Sequence, residues 1–229
     1  MLTELLQSSI GKKALVAVSG LVLLGFVIAH LLGNLTIFLG PDGINAYAQK
    51  IHHLGWLLWM TRLVLLAMVV LHIRTTIDLA LENRRARPVR YAVDRSQQTT
   101  LPAKTMVISG LFLFAFVGYH LAHCTFRVTH PSLSHLTDAL GRDDVYSLVV
   151  LSFRQPLVAG FYLLAMALLC SHLAHGVASA LQTLGLADDA TLPLFKRIGT
   201  AVAVAIGIGY GSIPLAAWCG LLRAAGGLG

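Results

Sequence analysis

Charge is what this sequence has least of. Asp, Glu, Lys and Arg make up 12% of its 229 residues, while 56% are hydrophobic. A soluble domain carries about 25% charged residues. A chain this poor in charge cannot cover a water-facing surface, so lipid is the expected solvent. Cysteine is also scarce. Cys124, Cys170 and Cys219 stand in apolar stretches at unrelated spacings. With no CxxC or CxxCH run, the pattern argues against a metal finger and a covalently attached c-type haem, and leaves three buried thiols. Acidic residues number 10 against 17 basic ones, a formal net charge of +7. Such an excess can signal nucleic acid, but no basic face interleaved with aromatics occurs. Lys and Arg instead sit at the ends of apolar runs, where they act as topology signals, so no nucleic-acid partner is expected.

Long apolar runs are abundant. A helix needs about 20 apolar residues to cross roughly 30 Å of hydrocarbon. Five runs meet that length, at about 14–39, 56–82, 105–127, 156–183 and 198–222. The first follows Lys12 and Lys13 and precedes Ala46-Tyr47-Ala48, which gives it the look of a signal peptide. It is far longer than the 7–15 residues of a signal h-region, so it reads as a retained span. Gly40-Pro41-Asp42-Gly43 is a turn signal. Pro156 opens the fourth run at a favourable first helical position. Pro214 is expected to kink the fifth. The predicted fold is all-α, an integral membrane bundle of five transmembrane helices forming a single domain over 1–229.

Orientation follows from the basic residues. Lys12, Lys13, Arg84, Arg85, Arg87, Arg90, Arg95, Lys104, Lys196 and Arg197 fall on one side. Lys50, Arg62, Arg127, Arg142, Arg154 and Arg223 fall on the other. The richer side is the cytoplasmic one by the positive-inside rule. That places the N-terminus inside and the C-terminus outside. The longest polar connections, 83–104 inside and 128–155 outside, are too short for a domain of their own. Soluble catalysis would have to come from another polypeptide.

Ionisable side chains inside a membrane are costly and mark function. His30, His72, His120 and His172 each lie in a different run. At about 1.5 Å per residue, His30 and His120 come out roughly 23 Å from the inner surface, and His72 and His172 roughly 8 Å from it. Two pairs result, on levels roughly 15 Å apart by the same rise, a spacing that suits electron transfer between two cofactors. Paired imidazoles facing across a bundle are natural axial ligands for haem iron. Zinc would want three or four converging donors. A proton relay would usually include carboxylates, which the spans nearly lack. Ser19-Gly20-Leu21 precedes His30 by 11 to 9 residues, and Ser109-Gly110-Leu111 precedes His120 by the same offsets. Small residues admit a flat macrocycle or a neighbouring helix. Both serines fall near the inner level, within reach of haem propionates. His123 and His175 follow His120 and His172 by three, on the same helix faces. Depth favours His120 and His172 as the ligands and leaves His175 as a propionate or supporting contact.

These residues resemble a known family. Ser8-Ser9-Ile10-Gly11-Lys12-Lys13, His30-Leu31-Leu32-Gly33-Asn34, Asn45-Ala46-Tyr47-Ala48, and Gly160-Phe161-Tyr162 leading to His172 and Gly176 occur in order along nearly the whole chain. In that order, with the four histidines, they are similar to the dihaem cytochrome b membrane anchor (b558 type) of succinate dehydrogenases and fumarate reductases. The resemblance implies two haem b groups, held by His30 with His120 and by His72 with His172. It implies a flavoprotein and an iron–sulfur subunit on the cytoplasmic face of a bacterial inner membrane. Electrons would pass between succinate or fumarate and menaquinone or another quinone, whose site would lie near the outer haem. Dimerisation of such a complex is left open.

Some relatives carry a glutamate near the outer end of the second helix, whereas this chain has no Asp or Glu between Asp42 and Asp78. Tyr47, Lys50, His52 and His53, with Arg62 nearby, are the candidates for quinone contact, or else ordinary interfacial residues; a histidine near pKa 6.5 can exchange a quinol proton. Arg74 is expected either to pair with Asp78 on one helix face or to reach an inner propionate. Arg154 is expected to bind an outer propionate or to snorkel to the interface. Trp56, Trp59 and Trp218 suit an aromatic belt. Two other functions compete: a dihaem anchor for a hydrogenase or formate dehydrogenase, and a haem-free transporter or passive anchor. A transporter would show inverted repeats and broken helices, whereas the repeat here relates two helices of the same orientation. In a bc-type cytochrome paired ligands recur on two shared helices, and no span here has that spacing.

Overall fold

A computed structural model describes residues 8–86 and 101–224, with side chains from residue 105 in the second stretch. Arg87, Arg90 and Arg95 and the side chain of Lys104, all used for orientation above, lie outside the described residues. The described chain is all-helical, and five helices are long and apolar enough to cross a membrane.

Helix α1 (Ser9–Leu35) starts where the Ser8 side chain accepts the Gly11 N–H at 3.1 Å, which satisfies one of the orphan donors of a first turn. A short 3₁₀ turn, Thr36–Leu39, carries the chain to Gly40 at φ 92°. Where a turn was expected, Pro41 instead opens a helix, α2 (Pro41–His53). Its acidic Asp42 and its basic Lys50, His52 and His53 sit at the dipole-matched ends. It buries only Ile44 and Asn45, as a helix lying along the end of a bundle does. Helix α3 (Trp56–Arg85) is the second span. Helix α4 (Leu101–His120) widens into a π-helical turn, Leu121–Thr125, to complete the third.

The connection from 128 to 155 is less polar than the sequence reading supposed. It contains α5 (Val145–Phe153), capped by Asp144, which accepts the Ser147 N–H at 3.0 Å. This helix is too short to span yet buries almost all of its side chains. Helix α6 runs from Pro156 to Thr183. Helix α7 (Leu192–Trp218) starts a turn and a half earlier than expected, with Lys196 and Arg197 inside it, and continues through Pro214.

Helices α1, α3, α4 and α6 form a square. Its packed sides are α1–α3, α3–α4, α4–α6 and α6–α1, and α7 packs outside against α6 and α1. The diagonals α1–α4 and α3–α6 are not among the extended packing pairs. Lys12 on α1 is ion-paired with Glu82 on α3 at one end, which also holds Arg84, Arg85, Lys196 and Arg197 and is called the basic end below. The continuous apolar core lies at the far end. There Ile37, Ile44, Tyr146, Val150, Phe153 and Ile213 pack together around α5. A polar clamp closes over it. Arg142 donates to Asp138 at 2.7 Å and to Asp42 at 2.8 Å. The fully buried Asn45 donates to Asp138 and Asp144, each at 3.2 Å, and accepts the Tyr146 N–H at 3.0 Å.

Candidate functional site

Each diagonal of the square carries one pair of histidines. On the α1–α4 diagonal the rings of His30 and His120 meet edge to face, with centroids 5.8 Å apart. On the α3–α6 diagonal His72 and His172 lie within electrostatic range of each other.

The Ser-Gly repeats sit on the sides. Ser19 on α1 is fully buried, and its Oγ donates to the Leu15 carbonyl at 2.6 Å. Its lone pairs then face His72 Nδ1 on α3 at 3.2 Å. That Nδ1 also lies 3.1 Å from the Val16 carbonyl. A carbonyl only accepts, so the proton belongs on Nδ1, which leaves Nε2 as the nitrogen free to ligate. The pattern repeats at Ser109 on α4. Its Oγ donates to the Met106 carbonyl at 3.1 Å and faces His172 Nδ1 on α6 at 3.1 Å. The neighbouring glycines let the rings in: a Cβ on Gly20 would come within 3.1 Å of His72 Cε1, and one on Gly110 within 3.4 Å of His172 Cε1.

These bonds fix two levels. Ser19 is at the height of His72 and stands 11 residues before His30 on the same helix. Ser109 is at the height of His172 and stands 11 residues before His120. Eleven residues of helix rise about 16 Å. The His72/His172 level is nearer the basic end, and the His30/His120 level nearer the far end.

The far level is lined by aromatic rings. Phe26 stacks on His30 at 5.3 Å and Phe116 on His120 at 5.9 Å. Tyr210 lies 6.2 Å from His30 and is anchored by its hydroxyl to the Val27 carbonyl at 2.8 Å. The Tyr162 hydroxyl stands between two histidines, 3.2 Å from His120 Nδ1 and 2.7 Å from His123 Nδ1. It has one proton. If it donates to His123 and accepts from His120, the Nε2 lone pair of His120 is left free. His123 is 1% exposed and turned toward Tyr162 and His130, with its Nε2 buried and, among the described residues, without a hydrogen-bond partner. Only His120 of the two faces His30.

The remaining sequence candidates divide. Tyr47 reaches this level: its phenol lies over Gly33, where any Cβ would overlap it, and it neighbours Tyr210. Lys50, His52 and His53 are exposed in the last turn of α2 and no hydrogen bond or ring contact joins them to the histidines. Arg62 sits over the Trp59 ring at 4.9 Å. Arg74 is exposed and Arg154 half-buried. Among the described residues neither guanidinium has a hydrogen-bond or ion-pair partner, so the pair expected between Arg74 and Asp78 does not form. Ser19 and Ser109, expected within reach of propionates, hydrogen-bond backbone carbonyls and the histidines of the neighbouring helices. His175 lies near Lys196. Tyr162 and Tyr210 carried no role in the sequence reading. The only signal for Tyr162 was the Gly160-Phe161-Tyr162 motif, and Tyr210 had none.

Among the described residues no three His, Cys, Asp or Glu side chains gather as an ion site; the donors come in pairs. No protein-family model matches the chain, and no curated protein and no solved structure matches it either.

Proposed function

We propose that this chain is the membrane anchor and electron-transfer subunit of a succinate:quinone oxidoreductase, holding two haem b groups. His30 with His120 would hold one, and His72 with His172 the other. The single observation carrying this reading is the crossed arrangement: two histidine pairs on the two diagonals, about 16 Å apart along the helices, three of the four rings hydrogen-bonded at Nδ1. The donor set fits the group. His30 and His120 stand with ring centroids 5.8 Å apart across the bundle, and paired imidazoles are donors suited to haem iron. Hydroxyl and carbonyl acceptors at Nδ1 are the usual supports of a ligating imidazole.

When bound, haem b supplies a one-electron iron couple. The protein's part is to fix the rings, exclude water and set the height of each pair. Ser19 and Val16 hold His72, Ser109 holds His172, and Tyr162 holds His120. The pair near the basic end would face an iron–sulfur subunit with its flavoprotein partner on the cytoplasmic side of a bacterial inner membrane. The far pair, with Tyr47 and Tyr210 beside it, would serve menaquinone or another quinone. In this orientation the N-terminus is cytoplasmic and the C-terminus periplasmic.

A reduced-minus-oxidised spectrum of the purified protein tests the reading, with haem counted per chain and co-purifying subunits identified. Two b-type haems are expected, one lost in His30→Ala and the other in His72→Ala, together with a flavoprotein and an iron–sulfur protein. A chain purified with its partners and carrying no haem would overturn the proposal. A metallohydrogenase or formate dehydrogenase partner would reassign it to another dihaem anchor.

A further inference from the structure

One face of α7 turns away from the bundle at the basic end. Lys196 and Arg197 open it, and Thr200, Ala201, Ala205 and Ile208 continue along it, all exposed. Together with Val204 they line a shallow, open groove of about 680 Å³ along this one helix. The groove is almost wholly apolar below its basic mouth. Ala201 and Ala205 keep its floor low, while the opposite face of the helix is buried through Gly199, Ala203 and Ile206. Among the described residues neither Lys196 nor Arg197 has an ion-pair partner. Lys196 also lies near His175 of α6, which adds a third donor-bearing group beside the mouth.

We infer that this groove seats one anionic phospholipid of the adjoining leaflet, its phosphate between Lys196 and Arg197 and one acyl chain along Ala201 and Ala205. The dimensions agree. From Lys196 to Ile208 is 12 residues, or about 18 Å of helix, close to one leaflet's half of the roughly 30 Å hydrocarbon layer. The charge agrees too. Basic residues at this height attract anionic headgroups, and among the described residues these two have no carboxylate paired with them. A second copy of the chain fits less well. A two-fold axis along the membrane normal brings equal heights together, which would set Lys196 and Arg197 against their own copies. The inference is independent of the haem reading.

The test is native mass spectrometry of the full-length chain, with the subunits that co-purify, released from phosphatidylcholine nanodiscs containing graded phosphatidylglycerol. One retained phosphatidylglycerol per chain is expected. The Lys196→Gln/Arg197→Gln variant should bind it about thirty-fold more weakly, the effect of removing two basic residues from an anionic lipid surface. Ala201→Leu/Ala205→Leu, which fills the groove and leaves the charges, should also lose it. Equal retention in both variants, or equal retention of phosphatidylcholine, would overturn the proposal. So would a dimer of the native chain that falls apart in the leucine variant, which would assign the face to a second copy.

Discussion

Ser19 on α1 faces His72 on α3 at 3.2 Å, and Ser109 on α4 faces His172 on α6 at 3.1 Å. Both bonds run along sides of the four-helix square, while the histidine pairs run along its diagonals. A side bond therefore sets the rotation of a ring that points across the bundle. It also ties adjacent helices in register, since each serine matches the height of the histidine it holds.

The two supports are unequal, and this gives the first prediction. His72 Nδ1 has a second acceptor in the Val16 carbonyl at 3.1 Å, whereas His172 Nδ1 has Ser109 alone. An acceptor at Nδ1 makes the imidazole a stronger donor to a metal, which favours the oxidised iron. Ser109→Ala should raise the midpoint potential of the haem proposed at the level nearer the basic end. A hydrogen bond worth about 1 kcal/mol corresponds to roughly 40 mV in a one-electron couple. Ser19→Ala should shift the same haem in the same direction by less. Redox titration of the two variants checks the order, and an equal or reversed order would remove Val16 from the account.

Tyr162 carries the second prediction. Among the described residues its hydroxyl is the hydrogen-bond partner of both His120 Nδ1 and His123 Nδ1, within a buried aromatic cluster. Tyr162→Phe keeps the ring packing and removes the hydroxyl, leaving two buried nitrogens unpaired. Such losses cost about 1–3 kcal/mol each. Thermal unfolding should shift downward, and the spectrum of the haem proposed for His30 and His120 should change while that of the other proposed haem stays the same. A change confined to the His72/His172 haem would contradict the two-level assignment.

How much of this was readable beforehand depended on length and cost. The five spans were legible because a run of about 20 apolar residues has few other uses. The four histidines were legible because ionisable groups stand out in such runs. Helix α2 was read as a turn because Gly40 and Pro41 break the first span, and a 13-residue helix lying across the bundle end leaves only Ile44 and Asn45 buried. Helix α5 was hidden by being too short to span. The Ser-Gly repeat was visible, but not its role: assigning Ser19 to His72 requires knowing that α1 neighbours α3. The i,i+4 spacing of Arg74 and Asp78 permitted a pair without requiring one. Tyr162 and Tyr210 were indistinguishable from core aromatics until the helices were placed.

A third prediction concerns the seat of Tyr47. Gly33 has no side chain where the Tyr47 phenol lies, so Gly33→Val forces that ring out. Overpacking of this kind costs about 1–3 kcal/mol. If the clash is with the Tyr47 ring, then Tyr47→Ala should restore much of what Gly33→Val loses. A double-mutant cycle on thermal stability measures the coupling. Additive losses would place the damage elsewhere on α1. Quinone turnover in Tyr47→Ala, measured alongside, separates a packing role from a substrate role.

The clamp at the far end gives a prediction in pH. Loss of water pushes the Asp138 carboxyl up. Hydrogen bonds from the Arg142 amide and guanidinium, from Asn45 and from the Leu140 amide overcome that and hold it at about 2. Arg142 is raised in turn, by its bonds to Asp42 and then to Asp138. A carboxyl depressed in the folded state stabilises it fully above the ordinary carboxylate range, and that contribution fades as pH falls through the range toward about 2. The clamp joins α2 to the loop before α5, so it should loosen in acid before the spans do. Hydrogen exchange at the amides of Leu140, Arg142 and Tyr146 should be slow at pH 6 and accelerate, beyond the intrinsic pH effect, below about pH 4. Asp138→Asn removes the titrating group, and exchange in that variant should already be fast at pH 6 and show little further acid response. If the native amides stay protected down to pH 2, the link between α2 and the loop rests on Asn45 and the apolar core rather than on the ionised Asp138.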